Sequence, residues 1–413
     1  MTTTLPLFAA FGIELEYMIV KRDSLDVAPV ADQLIKKVAG EYTNEIYNGE
    51  IAWSNELVSH VIELKTNGPA ASLKTLPAAF LKNLQQINEL LGEMDACLMP
   101  TGMHPWMNPY RETVLWPHDN REIYDTYNRI FNCEGHGWSN LQSMHINLPF
   151  ANDKQFAVLH SAIRVLLPIL PALAASSPIV ESRYTGKMDT RLETYRMNSV
   201  RIPSITGQVV PEVVSSKEEY RQKILEPMYR DISEYDPQKI LQDEWLNSRG
   251  AIARFDRNAI EIRVLDTQET PMADLAIAAF IIETLKNLSS FEWSDTNQQN
   301  LLSNRMLSGL FLNTITSAEQ TIIDDRAYLR VFDFPDKKAS TQDLLVYLRE
   351  EIDMEDHLPA DANKFIDVII KQGPLARRIV KATGTDVKKS RLQETYRALC
   401  NCIDKGTLFT GID

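Results

Sequence analysis

Four short stretches of the chain alternate apolar and polar residues with a period of two, the pattern of a strand that buries one face. Over residues 11–17, Phe11, Ile13, Leu15 and Tyr17 point one way while Glu14 and Glu16 point the other. Over 60–65, Ile62 and Leu64 oppose Glu63 and Lys65. Over 141–148, Met144, Ile146 and Leu148 oppose Ser143, His145 and Asn147. Over 259–265, Ile260, Ile262 and Val264 oppose Glu261 and Arg263. The preceding segment, 252–255, reaches this last strand through Asp256, Arg257 and Asn258, a turn short enough for a hairpin. Helical segments do not follow every strand, so the pattern predicts an α+β chain with an antiparallel sheet rather than a doubly wound parallel one.

Beyond about Asn297 the period changes. LLSNRMLSGLFL, QDLLVYLREEIDM and SRLQETYRALCNCID carry apolar residues at three-to-four spacing, which predicts helices. The chain therefore divides into a sheet-bearing region, 1–295, and a helical C-terminal region, 296–413, packed on it, with the joint at 296–299. The longest uncharged run, 165–180, is too short to span a membrane and contains Pro168, Pro171 and Pro178; it reads as a buried helix of the core.

Charge narrows the partners. The 413 residues include 56 acidic and 43 basic side chains, a net charge of −13. This excludes broad nucleic-acid binding, which needs clustered Lys and Arg, and adsorption to an anionic membrane. The first residues lack a basic stretch and their apolar run breaks at Glu14. Four cysteines in so long a chain make no disulfide framework, so a cytoplasmic protein is expected.

Placement of the charge suggests chemistry. If the strands share one sheet, Glu14, Glu16, Glu63, His145 and Glu261 project from one face, with Arg263 beside them. Carboxylates gathered without partners repel and are costly to desolvate. Divalent cations relieve both, and an oxygen-rich set with one imidazole suits Mg²⁺ or Mn²⁺ better than structural zinc. Glu56 joins from just before the second strand, though its parity relative to Glu63 calls for a bulge or bend. Taken singly, each residue has an ordinary reading. Glu14 and Glu16 are then a solvated strand face, His145 a hydrogen-bonded core histidine, and Arg196 a surface arginine. Glu261 with Arg263 is then a surface pair worth under about 1 kcal/mol.

In order along the chain, however, the segments resemble those of the carboxylate–amine ligases of the glutamate–cysteine ligase type 2 family. Gly12-Ile13-Glu14-Leu15-Glu16 resembles that family's opening G-[VI]-E-x-E strand, and Val61-Ile62-Glu63-Leu64-Lys65-Thr66 its second acidic strand. Thr101-Gly102-Met103-His104-Pro105-Trp106 is similar to its G-T-H-P segment, with Met103 inserted. Ser143-Met144-His145-Ile146-Asn147 occupies the place of an H-V-H-V strand, with Ser143 where the first histidine stands. LAASSP at 173–178, TGKMDTRLETYRM, RIPSITG and the final Glu261-Ile262-Arg263-Val264-Leu265-Asp266 complete the likeness over residues 11–275.

The resemblance implies a glutamine synthetase-like catalytic domain over 1–295: a curved antiparallel sheet carrying metals and nucleotide on its concave face, with helices outside. It implies that ATP phosphorylates a carboxylate, usually that of glutamate, and that an amine then attacks the acyl phosphate. Glutamate–cysteine ligation, a step of glutathione biosynthesis, is the leading expectation. The resemblance assigns Glu14, Glu16, Glu56, Glu63, His145 and Glu261 to metal, and Arg263, Arg254 and Lys65 to the nucleotide. Arg196 grips the substrate carboxylate with Arg201 and Arg191 as neighbours, and His104 is structural. Competing expectations are another amine in place of cysteine, a phosphotransferase on the same fold, and a binding protein without turnover. The amine, the metal used, a homodimer and the role of the C-terminal helices stay open.

Overall fold

The two-residue alternation is realised in one antiparallel sheet. In the computed structural model, which describes residues 4–354, 358–359 and 362–412, its strands are β1 (Gly12–Lys21), β2 (Glu45–Asn48), β3 (Ile51–Asn55), β4 (Val61–Thr66), β5 (Ala96–Met99), β6 (Ser143–Pro149), β7 (Ala251–Arg254) and β8 (Ala259–Asp266). Their order is β2-β3-β4-β1-β6-β8-β7, and β5 pairs with the far half of β1. β7 and β8 form the expected hairpin, pairing Ala259 with Arg254.

The helices that bear on the sheet are α1 (Leu76–Gly92), α2 (Arg121–Phe131), α3 (His136–Ser139), α4 (Asp153–Leu166), α5 (Thr190–Tyr195) and α6 (Pro271–Ser289). Ile13, Leu15, Ile62, Leu64, Met144 and Ile146 of the apolar sheet face share one core with Phe80 and Leu84 of α1 and Leu275 and Ile282 of α6. Each such aliphatic or aromatic side chain contributes about 1.5–3 kcal/mol by leaving water. α6 carries apolar residues all round (AIAAFII) and is buried nearly all round, so it belongs in the centre. α2, α3 and α5 lie over the opposite, polar face.

Two expectations change in detail. The pairing of β8 with β6 slips between Ile262 and Leu265: three residues of β8 span two of β6, a β-bulge. Alternation through residue 265 is therefore broken, and Asp266 falls on the same face as Glu261. The uncharged run 165–180 is not one helix. α4 ends at Leu166, a 3₁₀ turn covers Leu167–Ile169 and a short helix covers Pro171–Ala174, all buried. Pro168 and Pro171 supply no N–H to a continuing helix, so each restarts the chain's direction.

Residues 296–299 lie within a capped helix, α7 (Thr296–Asn300), where the side chains of Asp295 and Gln298 form a capping box. The core runs through this point. α8 (Asn304–Ser317) and α9 (Asn363–Gln372) add Leu307, Phe311, Ile366 and Ile369 to the same cluster that holds the sheet. α10 (Lys389–Lys405) lies against α1 and β5, with Asn88 Nδ2 donating to Asp404 Oδ1 at 2.6 Å. No described helix is long and apolar enough to cross a membrane.

Candidate active site

A cavity of about 760 Å³ lies over the polar face of the sheet. Strand register arranges its floor in rows. Gly12, Asn147 and Glu261 stand side by side; Lys65, Glu14 and His145 form the next row; Glu63 and Glu16 the one after. Ser54 and Glu45 extend this third row across β3 and β2.

The rows are tied by hydrogen bonds between neighbouring strands. Asn147 Nδ2 donates to Glu14 Oε1 at 3.0 Å, and His145 Nδ1 meets Glu14 Oε2 at 2.8 Å. Ser143 connects two of them: its N–H and Oγ donate to Glu16 Oε2 at 2.7 and 3.1 Å, and Oγ lies 2.9 Å from His145 Nε2. The serine standing where the family pattern has histidine thus orients both a carboxylate and the remaining imidazole. Ser54 Oγ donates to Glu63 Oε2 at 2.5 Å. Lys65 Nζ lies between Glu45 at 2.9 Å and Glu63 at 3.4 Å.

This crowding moves the protons. Burial and the Glu14 charge push the Glu63 carboxyl up to about 7. Burial, with Glu16 and Glu63 close by, raises Glu56 well above the carboxylate range. Burial acts to raise Glu14 too, but the hydrogen bond and charge of His145 hold it down at about 2. Burial acts to lower His145, and Glu14 and Glu261 together lift it to about 9.

Two sets of donor atoms each lie within 4.8 Å: Glu14, Glu63 and His145, and Glu16, Glu56 and Glu63. Glu63 belongs to both. Carboxylate oxygens with one imidazole nitrogen fit hard divalent cations. Glu56 reaches its set through the chain bend its parity called for, the turn over 57–60 that joins β3 to β4. Glu56 directly follows β3, and Ser54 of β3 pairs with Glu63 of β4, so Glu56, two residues beyond Ser54, comes to the same side as Glu63.

The other assigned residues divide. Glu261 stands outside both sets, hydrogen-bonded to Arg263 and 3.7 Å from Arg254. Arg254, Arg263 and Lys65 line the cavity, and so does Arg191, whose Nε donates to Asp266 Oδ1 at 2.5 Å beneath it. Arg196 and Arg201 do not line it. Arg196 is bound through two nitrogens to Glu193, at 3.0 and 2.7 Å. Arg201 donates to Ile130 O at 2.9 Å and lies over the Tyr235 ring. His104 is buried in its own loop; its Nε2 meets Leu25 O at 2.8 Å and its Nδ1 accepts the N–H groups of Trp106 and Met107. The invading neighbour there is Asp266, whose carboxylate leaves no room for a Cβ at Gly102.

Several lining residues carry no assignment from the motifs. Asn147 shares the parity of His145 and could have been read from it. Glu45 and Ser54 sit on β2 and β3, whose short sequences EIYN and IAWSN do not alternate. Arg257 comes from the β7–β8 turn. Tyr124 and Tyr127 stand three residues apart on α2, while Trp138, Tyr195 and Trp245 come from separate segments, with no periodic signal to unite them with it.

A family model described as glutamate-cysteine ligase family 2 matches residues 10–333. An uncharacterized protein of Archaeoglobus fulgidus is 40% identical over 277 residues, 67% of this chain and 73% of that one. A protein of a Nocardioides strain, named "Putative glutamate--cysteine ligase 2-1", is 26% identical over 294 residues, 69% of each chain. Among solved structures, the glutamate–cysteine ligase of Francisella tularensis in complex with AMP is similar with a TM-score of 0.57 at 14% identity, over 97% of this chain and 90% of that one. That likeness supports the glutamine synthetase-type fold that the family resemblance implied.

Proposed function

The chain belongs to glutamate–cysteine ligase family 2, and from that premise we propose that it is an ATP-dependent carbon–nitrogen ligase. A carboxylate oxygen, that of glutamate first among candidates, attacks the γ-phosphorus of ATP and ADP leaves. An amine nitrogen then attacks the acyl carbon, and inorganic phosphate and a proton leave. The family name supplies glutamate and cysteine as the pair to assay first.

The observation that carries this reading is the pair of carboxylate sets sharing Glu63 on one sheet face. Glu14, Glu63 and His145 would hold one divalent ion, and Glu16, Glu56 and Glu63 another; such ions, when bound, neutralise phosphate oxygens and template in-line transfer. Ser143 and Asn147 fix the orientation of Glu16, His145 and Glu14 before substrate arrives, so little reorganisation is needed. Glu261, rather than holding metal directly, holds Arg263 and Arg254 at the rim of the sets, where guanidinium groups stabilise charge on a transferring phosphoryl group. Lys65 adds a third cation. The role proposed for Arg196, grip on the acidic substrate, requires its guanidinium to exchange Glu193 for that substrate.

The test is to incubate the protein with Mg²⁺-ATP, glutamate and a panel of amines and to measure ADP and amide. ADP release that no carboxylate–amine pair stimulates ends the ligase reading. Phosphorylated product formed without any amine replaces it with phosphotransfer.

A further inference from the structure

A second, smaller core lies apart from the cavity and holds a pair of thiols. β5 alternates: Ala96 and Leu98 belong to the main core, whereas Cys97 and Met99 pack with Met18 and Val20 of β1 into the smaller one. Register sets Cys97 opposite Val20. Met18 and Val20 continue the two-residue spacing of Glu14 and Glu16 along β1, so this core covers the far end of the sheet face whose near end is the cavity floor. The element that covers it is α10. Leu392, Tyr396, Leu399 and Cys400 recur at three-to-four spacing and form the buried stripe of that helix. Leu375 and Ile379 of the helix Leu375–Thr383, with Phe409, complete the cluster.

The thiols of Cys97 and Cys400 are hydrogen-bonded to one another across this seam. Of the four cysteines, all free, Cys97 is half-buried while Cys133, Cys400 and Cys402 are buried. Two guanidinium groups flank the accessible one. Arg22 Nη2 donates to Ala96 O at 3.4 Å, next to Cys97 in the chain, and Arg397 donates to Arg22 O and Asp23 O at 3.1 and 2.7 Å. The hydrogen bond from Cys400 holds the Cys97 thiol below its ordinary value against the effect of burial, and the charges of Arg22 and Arg397 act the same way. That hydrogen bond, with burial, keeps the proton on Cys400. An accessible sulfur that favours the thiolate, beside a second thiol able to resolve it, is the arrangement of a reversible thiol–disulfide pair.

We propose that Cys97 and Cys400 are a modification site: a small-molecule disulfide oxidises them to a reversible disulfide that fastens α10 to β5. The Cys97 thiolate attacks one sulfur of the small disulfide, whose S–S bond breaks, and the departing thiolate takes up the proton that Cys97 gave away. Cys400 then loses its proton and attacks the Cys97 sulfur, and the second small thiol leaves. Two protein thiols are oxidised and one small disulfide is reduced to two thiols. The loop so closed takes in most of the chain, and closing a long loop restricts the unfolded state strongly.

The experiment treats the whole, folded protein with cystine and reads intact mass, a non-reducing peptide digest and a thermal melt. The mass should fall by two hydrogens, with no cysteine adduct retained, and the digest should contain one species that joins the Cys97 and Cys400 peptides. The melting temperature should rise by about 5 °C or more and return on adding dithiothreitol. Cys97→Ser and Cys400→Ser should each abolish the bond and the rise, whereas Cys133→Ser and Cys402→Ser should keep both. Mass and peptide linkage are read on the unaltered chain, so they do not depend on any variant folding. An adduct that stays on Cys97 while Cys400 remains free overturns the proposal, as does a bond from Cys97 to Cys402 or no reaction of the folded protein. A Cys97–Cys400 bond that leaves the melt unchanged or lowers it overturns the fastening of α10. None of these readouts requires turnover, so they hold whichever way the ligase assay falls.

Discussion

Strand β8 presents carboxylates to two polar regions a few residues apart, and the two are built on opposite terms. At one end of the polar sheet face, covered by Arg191, Asp266 is saturated: it accepts from Ser176 N–H at 2.8 Å, Ser177 Oγ at 2.7 Å and Arg191 Nε at 2.5 Å, and is fully buried. On the floor, Glu16, Glu56 and Glu63 converge with fewer donors than lone pairs, and the shortage appears as raised carboxyls at Glu56 and Glu63. A buried charge with a complete set of partners holds a fold together. Buried carboxylates lacking them repel one another, and here they are the groups that the proposed divalent ions would pair. The bulge after Ile262 brings Asp266 to the same face as Glu261, and it is Arg191, with the Ser176 and Ser177 donors, that seals it off from the cavity.

The sharpest way to break this comparison is to remove the carboxylate that both sets share. Glu63→Gln keeps the shape and the Ser54 hydrogen bond while deleting a charge that its neighbours repel. Turnover should fall by about a hundredfold to a thousandfold, in the range seen when a group that stabilises transition-state charge is lost, and the melting temperature should hold or rise. ADP release and a thermal melt check the two halves. Near-normal turnover, or a large drop in melting temperature, would make the floor another structural cluster like Asp266.

Asp266→Ala is the opposite case. It strands Arg191 as an unpaired charge that is 2% exposed, and breaking a buried pair this way costs about 3–5 kcal/mol. Urea denaturation should show the loss. An unchanged midpoint would mean that the pair contributes nothing.

How much of this was legible before the structure follows from burial. β1, β4, β6 and β8 each keep one apolar and one polar face, so alternation located them to within one or two residues at most of their ends, and their order carried the family likeness. β3 is buried on both faces and reads IAWSN, which has no period to detect. The side of the sheet that Glu56 faces depends on which residue of β3 pairs with Glu63, and register is not written in either strand alone. The bulge was hidden for the same reason. The aromatic lining of the cavity gathers residues from several segments and belongs to tertiary structure only. Arg196 shows the converse: a motif position can be plain in the sequence while its side chain is engaged elsewhere, on Glu193.

A smaller effect concerns pH. His104 is held neutral: burial lowers it to about 4, and its Nδ1 accepts two backbone N–H groups that protonation would displace. The unfolded chain takes up this proton near pH 6.5 and the folded one only near 4, so stability falls as pH drops through that window and His104 adds no further loss below it. Its share of the slope is one proton, about 1.4 kcal/mol per pH unit. His104→Gln should flatten the stability curve between pH 6.5 and 4 by that amount, read from urea midpoints at several pH values. An unchanged slope would show that His104 is protonated in the fold.

The smallest effect tests the residue that sequence and structure treat differently. The resemblance gives Arg196 to the acidic substrate, whereas the structure holds it on Glu193, one-third exposed and away from the cavity lining. A guanidinium already paired in solvent yields little when it changes partners, since such exposed pairs are worth about 0–1 kcal/mol. Arg196→Ala is therefore expected to raise the KM for the acidic substrate by less than about tenfold and to leave the ATP KM unchanged. Glu193→Gln, which frees the same guanidinium, should lower the acidic substrate's KM. If Arg196→Ala moves the ATP KM instead, its partner is the nucleotide. If neither substitution moves either constant, Arg196 belongs with Asp266 among the groups whose work is already done in the fold.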